Sequence, residues 1–108
     1  MSTHIRKTQR GWEAITDCPV PHSDNLILRI STYKHLQGGL LTTATVHRLK
    51  DGVLSHMVYA DFHKTRLLDH RKRCTEGAVE EQHRGQIGRL GDVMDEVLAH
   101  YRLDGVAA

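Results

Sequence analysis

The sequence predicts an α+β fold: an antiparallel meander of three strands, or four if an early segment joins it, with one long C-terminal helix packed on one face. Three observations predict it. Asp51-Gly52 sits between two alternating segments, a strong hairpin signal because a type I′ turn needs positive φ at both central residues. Gly38-Gly39 offers a second glycine turn ahead of it. Val79, His83, Ile87, Leu90, Met94, Val97 and Tyr101 recur at steps of three and four, one face of a helix.

Taken in order, residues 1–10 read as a flexible basic arm carrying Arg6, Lys7 and Arg10. Residues 11–62 hold the sheet. Within it, Gly11 to Thr16 is the candidate fourth strand, at the edge, and Cys18-Pro19-Val20-Pro21 breaks it, since a residue before proline is driven to extended geometry. Leu26 to Leu36 is the next strand, followed by Leu40 to Leu49 and Val53 to Phe62. Residues 63–74 form a basic connector. Thr75 is the expected N-cap of a helix over 75–102, with Glu76, Glu80 and Glu81 where the helix dipole favours negative charge. Gly85, Gly88 and Gly91 each cost about 1 kcal/mol relative to Ala, so a break is expected near Gly85. Residues 103–108 are a tail.

Read as two-residue turns, the two glycine sites set a register. Leu49 then faces Leu54, His47 faces His56 and Leu41 faces Phe62, while Leu28 faces Leu49, Ile30 faces His47 and Arg29 faces Arg48. The core side carries Leu28, Ile30, Leu41, Leu49, Leu54, Val58, Ala60 and Phe62. The outer side carries Ala44, Val46, Met57 and Tyr59, with Arg29, Tyr33, Arg48 and Lys50 around them.

At 108 residues the chain is expected to be one domain with a core of its own. No apolar run suits a signal peptide or a membrane span, so an intracellular, cytoplasmic protein with no membrane partner is expected. Two cysteines, Cys18 and Cys74, are expected as free thiols. Net charge is +2 but uneven: residues 1–73 hold 12 Lys+Arg against 6 Asp+Glu, and residues 74–108 hold 3 against 7. A basic body with an acidic C-terminal part is compatible with an anionic partner.

Three sites follow from the register. On the outer sheet face, Arg29 opposite Arg48 would be destabilising without an anion between them. Arginine binds phosphate in bidentate fashion, and tyrosine stacks on bases. The candidate ligand set is therefore Arg29, Tyr33, Arg48, Lys50 and Tyr59, extended by Lys64, Arg66, Arg71, Lys72 and Arg73 of the connector. A competing use of that face is self-association, as a homodimer or with another protein, over Val46, Met57 and Tyr59. Second, His47, His56 and His83 would converge, as in an open zinc site, if the helix crosses the sheet there. No HExxH or CxxC spacing accompanies them, so no metal and no cofactor is expected. Third, Asp61, His63, His70 and Cys74 lie near the last strand-to-helix junction and would suit an acid–base pair or a cysteine nucleophile. No oxyanion hole, phosphate loop or nucleophile elbow accompanies them. The expectation is a small non-enzymatic binding module for nucleic acid or another polyanion, with a self-associating domain and a metal-dependent or cysteine enzyme as the alternatives.

Overall fold

The computed structural model describes residues 2–55 and 60–105. Strands β1 (Ser2–Thr8), β2 (Gly11–Pro19), β3 (Leu26–Lys34) and β4 (Leu40–Lys50) follow one another as antiparallel neighbours. Both β5 (Val53–Leu54) and β6 (His63–Asp69) pair with the far side of β4. Helices α1 (Glu76–Ile87) and α2 (Leu90–His100) complete the α+β fold. The antiparallel sheet and C-terminal helical cover are as expected, but the sheet is larger and the helix is divided.

Residues 2–8, expected as a loose arm, are a strand. Thr8 pairs with Gly11 across a Gln9-Arg10 turn closed by the threonine side chain, which accepts from the Arg10 amide at 3.2 Å and donates to the Gly11 carbonyl at 3.0 Å. Only Ile5 of this segment is strongly apolar, so its order comes from the ladder to β2 and from the Thr3–Thr16 hydroxyl contact at 2.7 Å. The Gly11 segment is consequently an interior strand and not the edge.

The turn between β3 and β4 decides the faces. The Gly38 amide donates to the His35 carbonyl and the His35 amide to the Gly39 carbonyl, both at 3.0 Å, which leaves a three-residue loop closed by Gly38 at φ 96°. Leu28 therefore faces Val46 and not Leu49, a shift of three (49 − 46). An odd shift rotates every β4 side chain to the opposite face. Leu40, Thr42, Ala44 and Val46 join Leu26, Leu28, Ile30 and Thr32 on the helix side, all at most 7% exposed. Leu49, expected in the core, is exposed, and Leu41 is half-buried on the outer side. The register that wins places Leu40, Thr42, Ala44 and Val46 of β4 under the helices, and Thr43, Thr45 and His47, also buried, on the outer side.

The Asp51-Gly52 hairpin forms with the expected pairs, Leu49 with Leu54 and Lys50 with Val53. The ladder then stops. Thr45 pairs with His63 where continued pairing would put Val58, five residues earlier (63 − 58). The expected positions of His56, Met57, Val58 and Tyr59 lie outside the described residues. What reads as a connector in sequence thus supplies β6, whose ladder carries a bulge at Arg66 between the Thr42–Leu67 and Thr43–Thr65 pairs.

Thr75 caps α1 as expected, its hydroxyl accepting from the Ala78 amide at 3.2 Å. Gly85 stays inside the helix. The break falls at Gly88 and Arg89, where Arg89 leaves helical geometry (φ −112°, ψ 19°) and its amide turns back to the Gln86 carbonyl at 3.1 Å. The break allows two covers. Val79 of α1 packs with Ala14 and Leu40, and Val93 and Val97 of α2 pack with Val20, Leu26, Leu28, Ile30, Ala44 and Val46. Fully buried Leu28 and Ile30 contribute about 2 kcal/mol each from apolar area alone.

A polar chain crosses the helix–sheet interface. Thr16 Oγ1 lies 2.7 Å from His83 Nε2, Thr32 Oγ1 lies 2.8 Å from His83 Nδ1, and Thr32 and Thr42 share a 2.8 Å contact. Gln82 Nε2 closes it, donating to Thr42 Oγ1 at 3.0 Å and to the Leu40 carbonyl at 3.2 Å. Such a chain is tolerated in a core because its hydroxyls, the His83 ring and Gln82 Nε2 satisfy one another, although Gln82 Oε1 is buried without a partner.

Candidate functional site

In an antiparallel sheet of this order, the β1–β2 turn, the β3–β4 turn and the exit from β6 fall at one end. That end is basic. A hollow of about 500 Å³ is walled by Arg10 from the first turn, Lys34 from the end of β3, and Arg71, Lys72 and Arg73 from the β6–α1 connection. His70 and Cys74 complete the wall, and no carboxylate belongs to it. A smaller hollow of about 270 Å³ adjoins it, sharing Arg10 and Lys34 and adding Gln9, His35 and Leu36. Four of the five cations are exposed, with Lys72 half-buried, and none forms an ion pair among the described residues.

Local contacts hold the basic connection in shape. Asp69 Oδ1 accepts from the Arg71 amide at 3.0 Å, and the Lys72 amide points to the Asp69 carbonyl at 3.4 Å. Cys74 Sγ accepts from the Trp12 amide at 3.3 Å and lies 3.2 Å from the Trp12 carbonyl, tying the connection to β2. A β-carbon on Gly11 would sit 2.9 Å from that sulfur. Gly39 is equally confined: a β-carbon there would meet the Asp69 carbonyl oxygen at 2.5 Å and His70 Cα at 2.7 Å. Two glycines thus let three connections approach closely enough to gather their cations.

The sheet-face set does not come together. Arg29 lies on the outer side, paired with Thr45, and Arg48 lies on the opposite side, paired with Leu26. Arg29 already has its anion: Nε and Nη2 donate to Asp17 Oδ1 and Oδ2 at 2.7 and 3.0 Å. This bidentate contact raises the Arg29 pKa and removes the like-charge argument for a bound phosphate. Arg48 pairs loosely with Asp61 at 3.7 Å, Tyr33 is half-buried on the outer side beside Leu41, and Lys50 is exposed at the tip of β4. Tyr59 lies outside the described residues.

The connector set divides. Lys64 is bonded to Glu96 of α2. Arg66 donates through Nε to Gln86 Oε1 at 3.1 Å and through Nη2 to the Arg89 carbonyl at 3.0 Å, and burial, reinforced by Arg89, lowers its pKa. Both serve the helix–sheet junction. Arg71, Lys72 and Arg73 are the part that reaches the basin. Arg10 was legible as basic, whereas Lys34 was missed. The signal that finds Lys34 is topological: it ends a strand at the same end of the sheet as Arg10.

His47 and His83 lie on opposite sides of the sheet. His47 Nδ1 donates to the Ser55 carbonyl at 2.9 Å, and its Nε2 accepts from the Thr45 hydroxyl at 3.2 Å, so both ring nitrogens are engaged. His83 is 2% exposed and likewise bonded at both nitrogens, and His56 lies outside the described residues. Among the described residues no group of three or more His, Cys, Asp or Glu is placed to hold a metal ion. The third set is also split: Asp61 and His63 lie at one end of β6, and His70 and Cys74 at the other, roughly 20 Å along the strand.

Among the described residues no helix is long and apolar enough to cross a membrane. Compared with protein-family models, with curated proteins and with solved structures, the chain finds no match.

Proposed function

We propose that this chain is a binding module for a phosphate-bearing polyanion, held in the basic end of the sheet and not on its outer face. The observation that carries this reading is the convergence of Arg10, Lys34, Arg71, Lys72 and Arg73, from three separate connections, on one hollow without a carboxylate in its wall. Assembling like charges has a cost that a bound anion relieves. Elsewhere Arg6, Arg29, Lys64 and Arg84 are each paired with a carboxylate, while exposed Lys7, Lys50, Arg89 and Arg102 stand apart from one another and line no common hollow with the basin. The helices support the same orientation. Glu76, Glu80, Glu81, Asp92, Asp95 and Glu96 are exposed along them, which keeps an anionic polymer at the loop end. The reading assigns the chain no catalytic step; the basin holds and orients its ligand.

The test is direct binding of a labelled oligonucleotide and of inorganic polyphosphate to the wild type and to the Arg71→Ala/Lys72→Ala/Arg73→Ala variant. With three to five phosphates engaged, affinity falls about 20- to 100-fold between roughly 50 and 200 mM salt. The triple variant loses most of that affinity and flattens the salt dependence. Absence of binding at low salt, or equal binding by the variant, removes the proposal.

A further inference from the structure

We infer that the polymer in the basin is single-stranded nucleic acid, its phosphates among the cations and an unstacked base against Leu36 and His35; this rests on the polyanion reading above. Leu36 is 83% exposed at the tip of the β3–β4 loop, the most exposed large apolar side chain among the described residues. A scattered surface leucine means little by itself. This one lines the smaller hollow together with Gln9, Arg10, Lys34 and His35, and Arg10 and Lys34 belong to both hollows. Charge and apolar surface therefore alternate across a shared wall.

The imidazoles add flat surface at the same boundary. The His35 and His70 rings meet edge to face, with centroids 6.3 Å apart, one at each hollow. His35 is held in place, its Nδ1 accepting from the Gln37 amide at 3.3 Å and its backbone paired to Gly39. A leucine beside a positioned imidazole offers an apolar shelf to a base face, while Gln9 supplies a donor and an acceptor for a base edge.

That chemistry distinguishes among polyanions. Polyphosphate has charge but no face to lay on Leu36. In a duplex the base faces are stacked away and only groove edges are presented. Among the described residues neither helix suits a groove, because both present carboxylates to solvent. A single strand presents phosphates and bare base faces together.

The experiment is fluorescence anisotropy with a roughly 12-nucleotide thymidine strand, a duplex of the same length, and unlabelled polyphosphate as competitor. The wild type is compared with Leu36→Ser, whose thermal midpoint stays unchanged because the side chain is exposed. The expected result is about tenfold tighter binding of the single strand than of the duplex, and loss of most of that advantage in Leu36→Ser with polyphosphate competition unaltered. Equal affinity for all three polymers, or a Leu36→Ser loss shared equally by polyphosphate, overturns the single-strand inference and leaves the polyanion reading standing. Failure of every polymer to bind overturns both.

Discussion

The Nδ1 atom of His83 lies 2.8 Å from the Thr32 hydroxyl, and the buried chain to which this contact belongs fixes its direction. Gln82 Nε2 faces the Leu40 carbonyl, so it is a donor and gives its other hydrogen to Thr42 Oγ1. Thr42 then donates to Thr32, Thr32 to His83 Nδ1, His83 Nε2–H to Thr16, and Thr16 to Thr3. The reverse direction would leave the Thr42 hydroxyl hydrogen without an acceptor in the chain. His83 is therefore neutral with its proton on Nε2. Nitrogen-15 NMR of the imidazole should show Nδ1 unprotonated near neutral pH; a protonated Nδ1 would contradict the ordering.

Acid should weaken the fold through this residue. Burial holds the His83 pKa down at about 4, against about 6.5 in the unfolded chain. Below pH 6.5 the unfolded state takes up a proton that the folded state refuses, so stability is lost as pH falls from about 6.5 towards 4 and levels off below that. The full difference is about 3 kcal/mol, of which about 2 kcal/mol is gone by roughly pH 5. Urea denaturation at a series of pH values measures it. His83→Gln, which cannot titrate, should be less stable at neutral pH but should lose this part of the slope; an unchanged slope would place the titration elsewhere.

The two glycines of the β3–β4 turn should respond differently to alanine. Both have positive φ, 96° at Gly38 and 87° at Gly39. A β-carbon on Gly38 meets nothing within 4 Å, so only the backbone strain of about 1–2 kcal/mol applies. On Gly39 the same atom would strike backbone of Asp69 and His70, which cannot rotate away. Gly39→Ala should therefore cost at least about 3 kcal/mol and disturb the basin, whereas Gly38→Ala leaves ligand binding intact. Equal losses of stability for the two variants would show that β6 yields.

These glycines also mark where sequence reasoning stopped. The Asp51-Gly52 pairs and the Thr75 cap were legible because each depends on residues adjacent in the chain. Composition alone does not distinguish Gly38-Gly39 as a two-residue turn from His35-Leu36-Gln37-Gly38 as a turn with Gly39 pairing behind it. That ambiguity of three residues reversed the β4 faces and separated Arg29 from Arg48. Strand β1 was hidden for another reason. Its pattern is too polar to be read alone, and it is ordered by pairing with β2. With β1 unseen, nothing indicated that Arg10, Lys34 and Arg73 share one end of the sheet.

Charge location, not total charge, should govern binding. Arg29 is engaged in both of its contacts to Asp17, so an incoming phosphate must displace a carboxylate to reach it. Lys34 lies in the wall shared by the two hollows and has no partner among the described residues. Arg29→Ala and Lys34→Ala remove the same unit of charge from one strand, five positions apart (34 − 29) on β3. Lys34→Ala should weaken oligonucleotide binding about three- to tenfold and reduce the salt slope by about 0.7, the share of one phosphate contact. Arg29→Ala should leave both within about twofold and instead cost up to about 1 kcal/mol of stability through the lost half-exposed pair. Equal effects of the two variants on affinity would mean that the chain attracts its ligand by net charge alone, with no defined basin.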